Sequence, residues 1–335
     1  MKPLVLIVDD TPENIALMNG LLKDRYRTRI ATNGERALEA AAQKPQPDIV
    51  LLDIMMPGMD GYEVCRRLKA DPATVGIPVV FLTAKAQVED EQLGFDVGAV
   101  DYITKPISPP IVLARVNTHL TLKAEHERAE KLLLNVLPAV IAERLKREAT
   151  TIADAAEEVT VVFADLVGFT PLAAARSPAE LVRLLDDIFT AFDSCAADVG
   201  VEKIKTVGDA YVAVAGLPTA RPDHAVCAAR FAFGMNDAIA RYNAEHGVSL
   251  KLRIGIDSGP VVAGVIGKHK FTYDLWGDTV NSAARMESHG EPDRIQVGER
   301  AARLLERDFV LEARGEIEVK GKGRMKTWWL MAPRS

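Results

Sequence analysis

Five residues near the start of the chain stand just past apolar runs. Asp9 and Asp10 follow Leu4 to Val8, Asp53 closes Asp48 to Leu52, Thr83 follows Pro78 to Leu82, and Lys105 follows Val100 to Ile103. Three carboxylates that converge without a cation repel one another. Together they form a hard oxygen site suited to Mg²⁺. One of them can then accept a phosphoryl group, with the metal and Lys105 neutralising the developing charge. Thr83 is placed to hydrogen-bond the new phosphate.

A second set lies beyond residue 158. Val159 to Ala164 reads as a strand ending at Asp165, and Leu166-Val-Gly-Phe169-Thr170 follows it. Glycine and exposed N–H groups at a strand-to-helix turn can hold phosphates, which makes Phe169 and Thr170 candidate substrate contacts. Val201 to Ala215 reads as two β segments turning near Val207-Gly208, with Asp209 beside the turn. Asp165 and Asp209 then fall on neighbouring strands, and two such carboxylates suit a pair of metal ions. Asn281 and Arg285 share one helix face, where they can bind a ribose and a triphosphate. Gly277-Asp278-Thr279 opens that helix, with Asp278 or Thr279 as the expected cap. Val319-Lys320-Gly-Lys322-Gly323 reads either as a charged hairpin turn or as a terminal-phosphate clamp, before a strand over Lys326 to Met331.

The elements that must position these groups change character along the chain. Its 335 residues suggest about two domains. In the first 120 residues, continuous apolar runs alternate with helical patterns at Glu13 to Lys23, Gly34 to Ala42 and Tyr62 to Lys69. That alternation predicts a doubly wound parallel sheet, with its functional groups beyond the carboxyl ends of the strands. A helical pattern then runs over residues 109–150. Ala129, Leu133, Val136 and Val140 step along it as a coiled-coil seam does, and Pro138 is expected to kink it or to start a new helix. The polar, alanine-rich stretch Ala149 to Glu158 reads as a junction. The expected division is therefore 1–120, a helical connector over 121–156, and 157–335.

Composition narrows the function classes. Lys and Arg number 41 against 47 acidic residues, a net charge of −6, which disfavours nucleic acid as the main partner. No basic recognition helix follows residue 150. Three widely spaced cysteines with no CxxC point to neither a disulfide framework nor a zinc site. No apolar run approaches the roughly 18 residues of a membrane span, so a cytoplasmic protein is expected.

The first 120 residues resemble the receiver domain of bacterial response regulators. Asp9, Asp10, Asp53 with Met56-Pro57-Gly58, Thr83-Ala84 and Lys105-Pro106 carry the likeness. It implies that Mg²⁺ binds at Asp9, Asp10 and Asp53, and that a sensor histidine kinase phosphorylates Asp53. Residues 157–332 resemble the class III nucleotide cyclases, the family of adenylyl and guanylyl cyclases. Phe163 to Thr170, Lys203 to Tyr211, Asp274 to Arg285 and Val319 to Gly323 carry this second likeness. It implies a ferredoxin-like α+β core, with Asp165 and Asp209 holding two Mg²⁺ or Mn²⁺ ions. It also implies that Asn281 and Arg285 orient the ribose and stabilise the transition state, while Lys320, or its neighbour Lys322, binds the terminal phosphates.

By motif position, Lys205 and Asp274 would read the base. A Lys donor and a carboxylate acceptor match N1 and N6 of adenine, so ATP is expected over GTP. Both the metal set and the Asn–Arg set occur in this one chain, and in the family each site forms between two subunits. A homodimer with two symmetric sites is therefore expected. The competing readings are a guanylyl cyclase and a non-catalytic, phosphorylation-controlled scaffold. A diguanylate cyclase would need a Gly-Gly-acidic-acidic-Phe turn, which Val207-Gly208-Asp209-Ala210 is not.

Overall fold

The computed structural model describes residues 2–84, 94–147, 152–174, 176–267, 270–319 and 322–334. The chain divides into two compact units, Met1–Leu132 and Leu133–Ser335.

The first unit is a parallel sheet of β1 (Leu4–Val8), β2 (Arg27–Ala31), β3 (Ile49–Asp53), β4 (Val79–Thr83) and β5 (Asp101–Thr104), in the order β2-β1-β3-β4-β5. Every residue of β1, β3 and β4 is buried, as continuous apolar runs covered on both faces require. Their side chains alternate between two cores. Leu6, Val8, Val50, Leu52, Val79 and Phe81 join one, beneath the helices Gly34–Ala42 and Gly61–Ala70. Val5, Ile7, Ile49, Leu51, Val80 and Leu82 join the other, with Met18 and Leu22 of the helix Pro12–Leu22 and Val112 and Val116 of the helix Pro109–Leu134. Asn33 and Asp60 cap their helices by accepting the N–H groups of Arg36 and Glu63 at 2.9 and 2.8 Å. The long helix is pinned to β5 by Asp101. Its carboxylate accepts from Arg115 Nη1 at 2.9 and 2.8 Å and lies 2.8 Å from His119 Nε2.

The segment before the second sheet breaks at Pro138, the position expected to kink it or to start a new helix. The helix Pro109–Leu134 stops, and a separate helix, Ala139–Arg147, starts directly after Pro138. Proline has no N–H and holds the residue before it out of the helical region. The four-three-four seam is thereby split: Val136 falls in the turn and Val140 on the second helix, and both are exposed. A different stripe, Leu137, Ile141 and Ala142, is buried in the second unit.

The second unit is built on β6 (Ala153–Val167), β7 (Glu202–Val207), β8 (Ala210–Ala215), β9 (Lys251–Ile266), β10 (Thr272–Trp276), β11 (Arg294–Gly298), β12 (Phe309–Val319) and β13 (Gly323–Pro333). The sheet order is β12-β13-β11-β9-β6-β8-β7, with β10 paired to β9. The run β9-β6-β8-β7, with helices between β6 and β7 and between β8 and β9, is the ferredoxin-like arrangement. The helices Pro178–Val199 and His224–His246 cover one face. Leu184, Ile188, Phe192, Phe231 and Met235 pack there against Val162, Ala164, Tyr211, Ile254 and Ile256. β6 begins at Ala153, inside the stretch read as a junction. Ala153 to Ala156 pair with Gly264 to Val261 of β9. An alanine-rich, acidic stretch has little strand preference of its own; the neighbouring strand supplies it. Among the described residues, no helix is long and apolar enough to cross a membrane.

Candidate active site

In the first unit the expected carboxylates meet. Asp9, Asp10 and Asp53 each offer an oxygen within 4.8 Å of the others. Asp9 directly follows β1, and Asp53 ends β3. Lys105, just past β5, places its Nζ 3.0 Å from Asp9 and 2.9 Å from Asp53. Burial raises the pKa of Asp53, the hydrogen bond from Lys105 opposes the rise, and the charge of Asp9 adds to it. Burial lowers the pKa of Lys105, but its bonds to Asp53 and Asp9 outweigh this and hold it above its ordinary value. Crowded carboxylates with one ammonium are an oxygen donor set that fits Mg²⁺. Thr83 is buried at the end of β4, where its carbonyl accepts the Lys105 N–H at 2.7 Å. Asn14 is an addition to the expected set: its Nδ2 donates to both oxygens of Asp9 at 3.0 Å.

In the second unit, Asp165 on β6 pairs with Ala210 of β8, the residue after Asp209. Asp165 thus stands on β6 beside the β7–β8 turn that carries Asp209. Burial and the charge of Asp209 both raise the pKa of Asp165, and Arg253 opposes them. Arg253 on β9 lies directly opposite Asp165 on β6. Its Nη2 donates to Asp165 Oδ2 at 3.0 Å and its Nε to Glu287 Oε1 at 2.6 Å. Burial raises the pKa of Glu287 too, Arg253 lowers it, and Asp165 and Asp209 add to the rise. Neither Arg253 nor Glu287 is marked by linear spacing. The register of the 16-residue β9 on β6 is what brings them in.

The helix Asp278–Ser288 buries Thr279, Ser282, Ala283 and Met286 and leaves Asn281 and Arg285 exposed on its other side. Its cap differs from the expectation. Gly277 is the N-cap, Asp278 is the first helical residue, and no side chain caps the helix. The hydroxyl of Thr279 is engaged elsewhere, donating to the carbonyl of Pro260 at 2.8 Å. Gly255 of β9 sets how closely this helix approaches the sheet, since a Cβ there would lie 1.9 Å from the Glu287 nitrogen and 2.5 Å from the Ala283 oxygen. Gly255→Ala is therefore expected to destabilise the unit by about 1–3 kcal/mol. Urea unfolding checks this: the midpoint falls at constant slope, whereas an unchanged midpoint contradicts the close approach.

Lys205 on β7 and Asp274 on β10 form an ion pair, with Nζ 2.5 Å from Oδ2. The other oxygen of Asp274 accepts the Leu275 N–H at 2.8 Å, which fixes the carboxylate. Phe169 and Thr170 open the short helix Phe169–Ala174, and the ring of Phe169 packs on the core below it. Lys320 lies outside the described residues. Lys322 is bound to the first turn of the helix Asp278–Ser288 through Asp278 and Ser282. Among the described residues, no hydrogen bond or ion pair joins Asp165 or Asp209 to Asn281, Arg285, Lys205 or Asp274.

The second unit coincides with a known family. Residues 152–332 match the model of the adenylate and guanylate cyclase catalytic domain. The chain belongs to the adenylate and guanylate cyclase family. Residues 5–117 match the response regulator receiver domain, so both expected resemblances hold. The cyclase chain is 50% identical over 211 residues to the adenylate cyclase of Mycobacterium tuberculosis (strain ATCC 25618 / H37Rv), covering 63% of this chain and 48% of that relative. It thus spans about half the length of the curated relative it matches. Among solved structures it is similar to the guanylate cyclase domain of RhGC from Catenaria anguillulae in complex with GTP. That likeness has 38% identity and a TM-score of 0.53, and covers 54% of this chain and all of that one (100%). It is also similar to the adenylyl cyclase CyaB from P. aeruginosa, at 25% identity and a TM-score of 0.51, over 55% of this chain and 97% of that one. Relatives of both base specificities occur, so the choice of purine rests on the cyclase domain's own residues.

Proposed function

We propose that this chain is an adenylyl cyclase that forms 3′,5′-cyclic AMP and pyrophosphate from ATP, in sites shared by two copies and controlled by phosphorylation of Asp53. The observation that carries the choice of ATP is the Lys205–Asp274 pair. An ammonium has three N–H donors. One serves Asp274 and another can meet N1 of adenine, while Asp274 accepts from the N6 amino group. Guanine would set its O6 acceptor against that carboxylate.

Asp165 and Asp209 are the residues that would hold the divalent ions, Mg²⁺ or Mn²⁺. Their mutual repulsion and their all-oxygen donor set fit such cations. Bound there, the ions supply activation of the ribose 3′-hydroxyl and charge neutralisation at the phosphates. Asn281 orients the ribose. The 3′-oxygen bonds to the α-phosphorus as the bond to pyrophosphate breaks, and the hydroxyl proton passes to water. The guanidinium of Arg285 meets the charge that grows on the α-phosphate oxygens. Asn281 and Arg285 are exposed on their helix, and among the described residues no hydrogen bond or ion pair joins them to Asp165 or Asp209, an arrangement that a partner copy's face would complete.

For control, a phosphoryl group on Asp53 adds charge beside Lys105 and Thr83. Lys105 follows β5, and β5 carries the Asp101 that pins the helix Pro109–Leu134. A sensor histidine kinase is the natural donor, and acetyl phosphate is a small substitute. With purified protein and ATP, acetyl phosphate is expected to shift the rate of cyclic AMP formation in the wild type and to leave Asp53→Ala unmoved. An identical response in both proteins, or none in the wild type, contradicts the control.

A further inference from the structure

Lys322 stands in the turn between β12 and β13, where its N–H bonds the Val319 carbonyl at 2.9 Å. Its side chain reaches across to the first turn of the helix Asp278–Ser288. There Nζ lies 2.7 Å from the Asp278 carboxylate and 3.1 Å from the Asp278 carbonyl, and it also bonds the Ser282 hydroxyl. A lysine ammonium has three donors and no acceptor. Three acceptors are already in place, so all three donors are used within the chain. Only 19% of the side chain is exposed, whereas the Asp278 side chain it grips is 82% exposed.

Beneath this contact lies a buried carboxylate. Asp257 of β9 accepts the Ser258 N–H at 2.9 Å and feels the charge of Lys322, while the Ser282 hydroxyl donates to the Asp278 carbonyl at 3.0 Å. Gly298 of β11 leaves room for it, since a Cβ there would fall 2.5 Å from Asp257 Oδ1. Burial raises the pKa of Asp257, and Ser282 and Lys322 both oppose that rise. Strands β9 and β11, the turn that carries Lys322, and the helix Asp278–Ser288 meet around these polar groups. That helix is the one that presents Asn281 and Arg285.

We propose that Lys322, with Ser282 and Asp257, is a latch that holds the β12–β13 turn against the helix Asp278–Ser288, and that Lys322 positions Asn281 and Arg285 rather than binding the triphosphate. The proposal rests on the cyclase reading for its kinetic consequence, but the latch itself can be read without turnover. Helix placement matters because a misplacement of about 1 Å can cost on the order of 100-fold in rate. A positioning residue lowers kcat while leaving ground-state affinity nearly untouched, whereas a ligand of the terminal phosphates raises KM and weakens binding of pyrophosphate.

The test compares wild type with Lys322→Met, Lys322→Arg, Asp278→Asn and the double variant Lys322→Met/Asp278→Asn. The latch predicts that Lys322→Met lowers kcat by about 10- to 100-fold while KM for ATP stays within about twofold. Calorimetric affinity for pyrophosphate then stays unchanged, Lys322→Arg restores part of the rate, and the double variant is no worse than the worse single one. Hydrogen exchange of the amides over Asp278 to Ser282 is expected to speed up in Lys322→Met, with the core strands as protected as before. A tenfold loss of pyrophosphate affinity with unchanged exchange overturns the proposal and makes Lys322 a phosphate ligand. Additive losses in the double variant also overturn it. If the wild type makes no cyclic nucleotide, the cyclase reading fails on its own, and the exchange result still decides the latch.

Discussion

Chains carrying Asp165→Ala and chains carrying Arg285→Ala are each expected to be nearly inactive alone and to recover together. On the proposed mechanism each substitution removes a charge that the transition state uses, and a loss of at least about 10²–10³-fold in kcat is the usual size of such an effect. Co-expressed in equal amounts, half of the dimers are mixed. In a mixed dimer, one site has lost both groups and the other has kept both. The mixture should therefore show about a quarter of wild-type activity. Arg253 bridges Asp165 to Glu287, while Asn281 and Arg285 are exposed and, among the described residues, no hydrogen bond or ion pair joins them to Asp165 or Asp209. Mixed dimers isolated with two affinity tags and found inactive would place each complete site within one chain.

The second large effect concerns the base. Lys205→Glu combined with Asp274→Cys is expected to reduce kcat/KM for ATP by about 10⁴-fold, because a buried donor–acceptor mismatch discriminates strongly. The fold should survive the change. The Lys205 and Asp274 side chains are 38% and 18% exposed, and part-exposed ion pairs contribute little to stability. Circular dichroism and the urea midpoint check that folding is intact. ATP turnover unchanged in the folded double variant would remove Lys205 and Asp274 from base recognition.

The parts legible in the sequence are those whose signals are local. β1, β3 and β4 are continuous apolar runs because both faces of their sheet are covered, and the acids and Lys105 fall at their ends. The Asp165–Asp209 juxtaposition was readable because β8 returns directly from the turn that carries Asp209. The illegible parts depend on partners distant in the chain. β2, an edge strand with the charged and mixed sequence Arg27-Thr-Arg-Ile-Ala, is defined by β1 alongside it. The start of β6 is defined by β9. In the connector, Pro138 marks the break in the sequence itself, but the four-three-four spacing of Ala129 to Val140 does not show that Leu137, Ile141 and Ala142 are the residues buried instead. Arg253 and Glu287 come to Asp165 through strand register and through the tight approach of a helix at Gly255, and neither of these is written in local spacing.

The most direct test of the central claim gives the purified full chain equimolar ATP and GTP with Mg²⁺, then with Mn²⁺, and resolves the cyclic products by mass. Cyclic AMP in large excess over cyclic GMP, with its formation abolished in Asp209→Ala, is the predicted result. Cyclic GMP as the main product would contradict the assignment of Lys205 and Asp274 as an adenine-reading pair, and no cyclic product with either metal would contradict the cyclase reading of this chain.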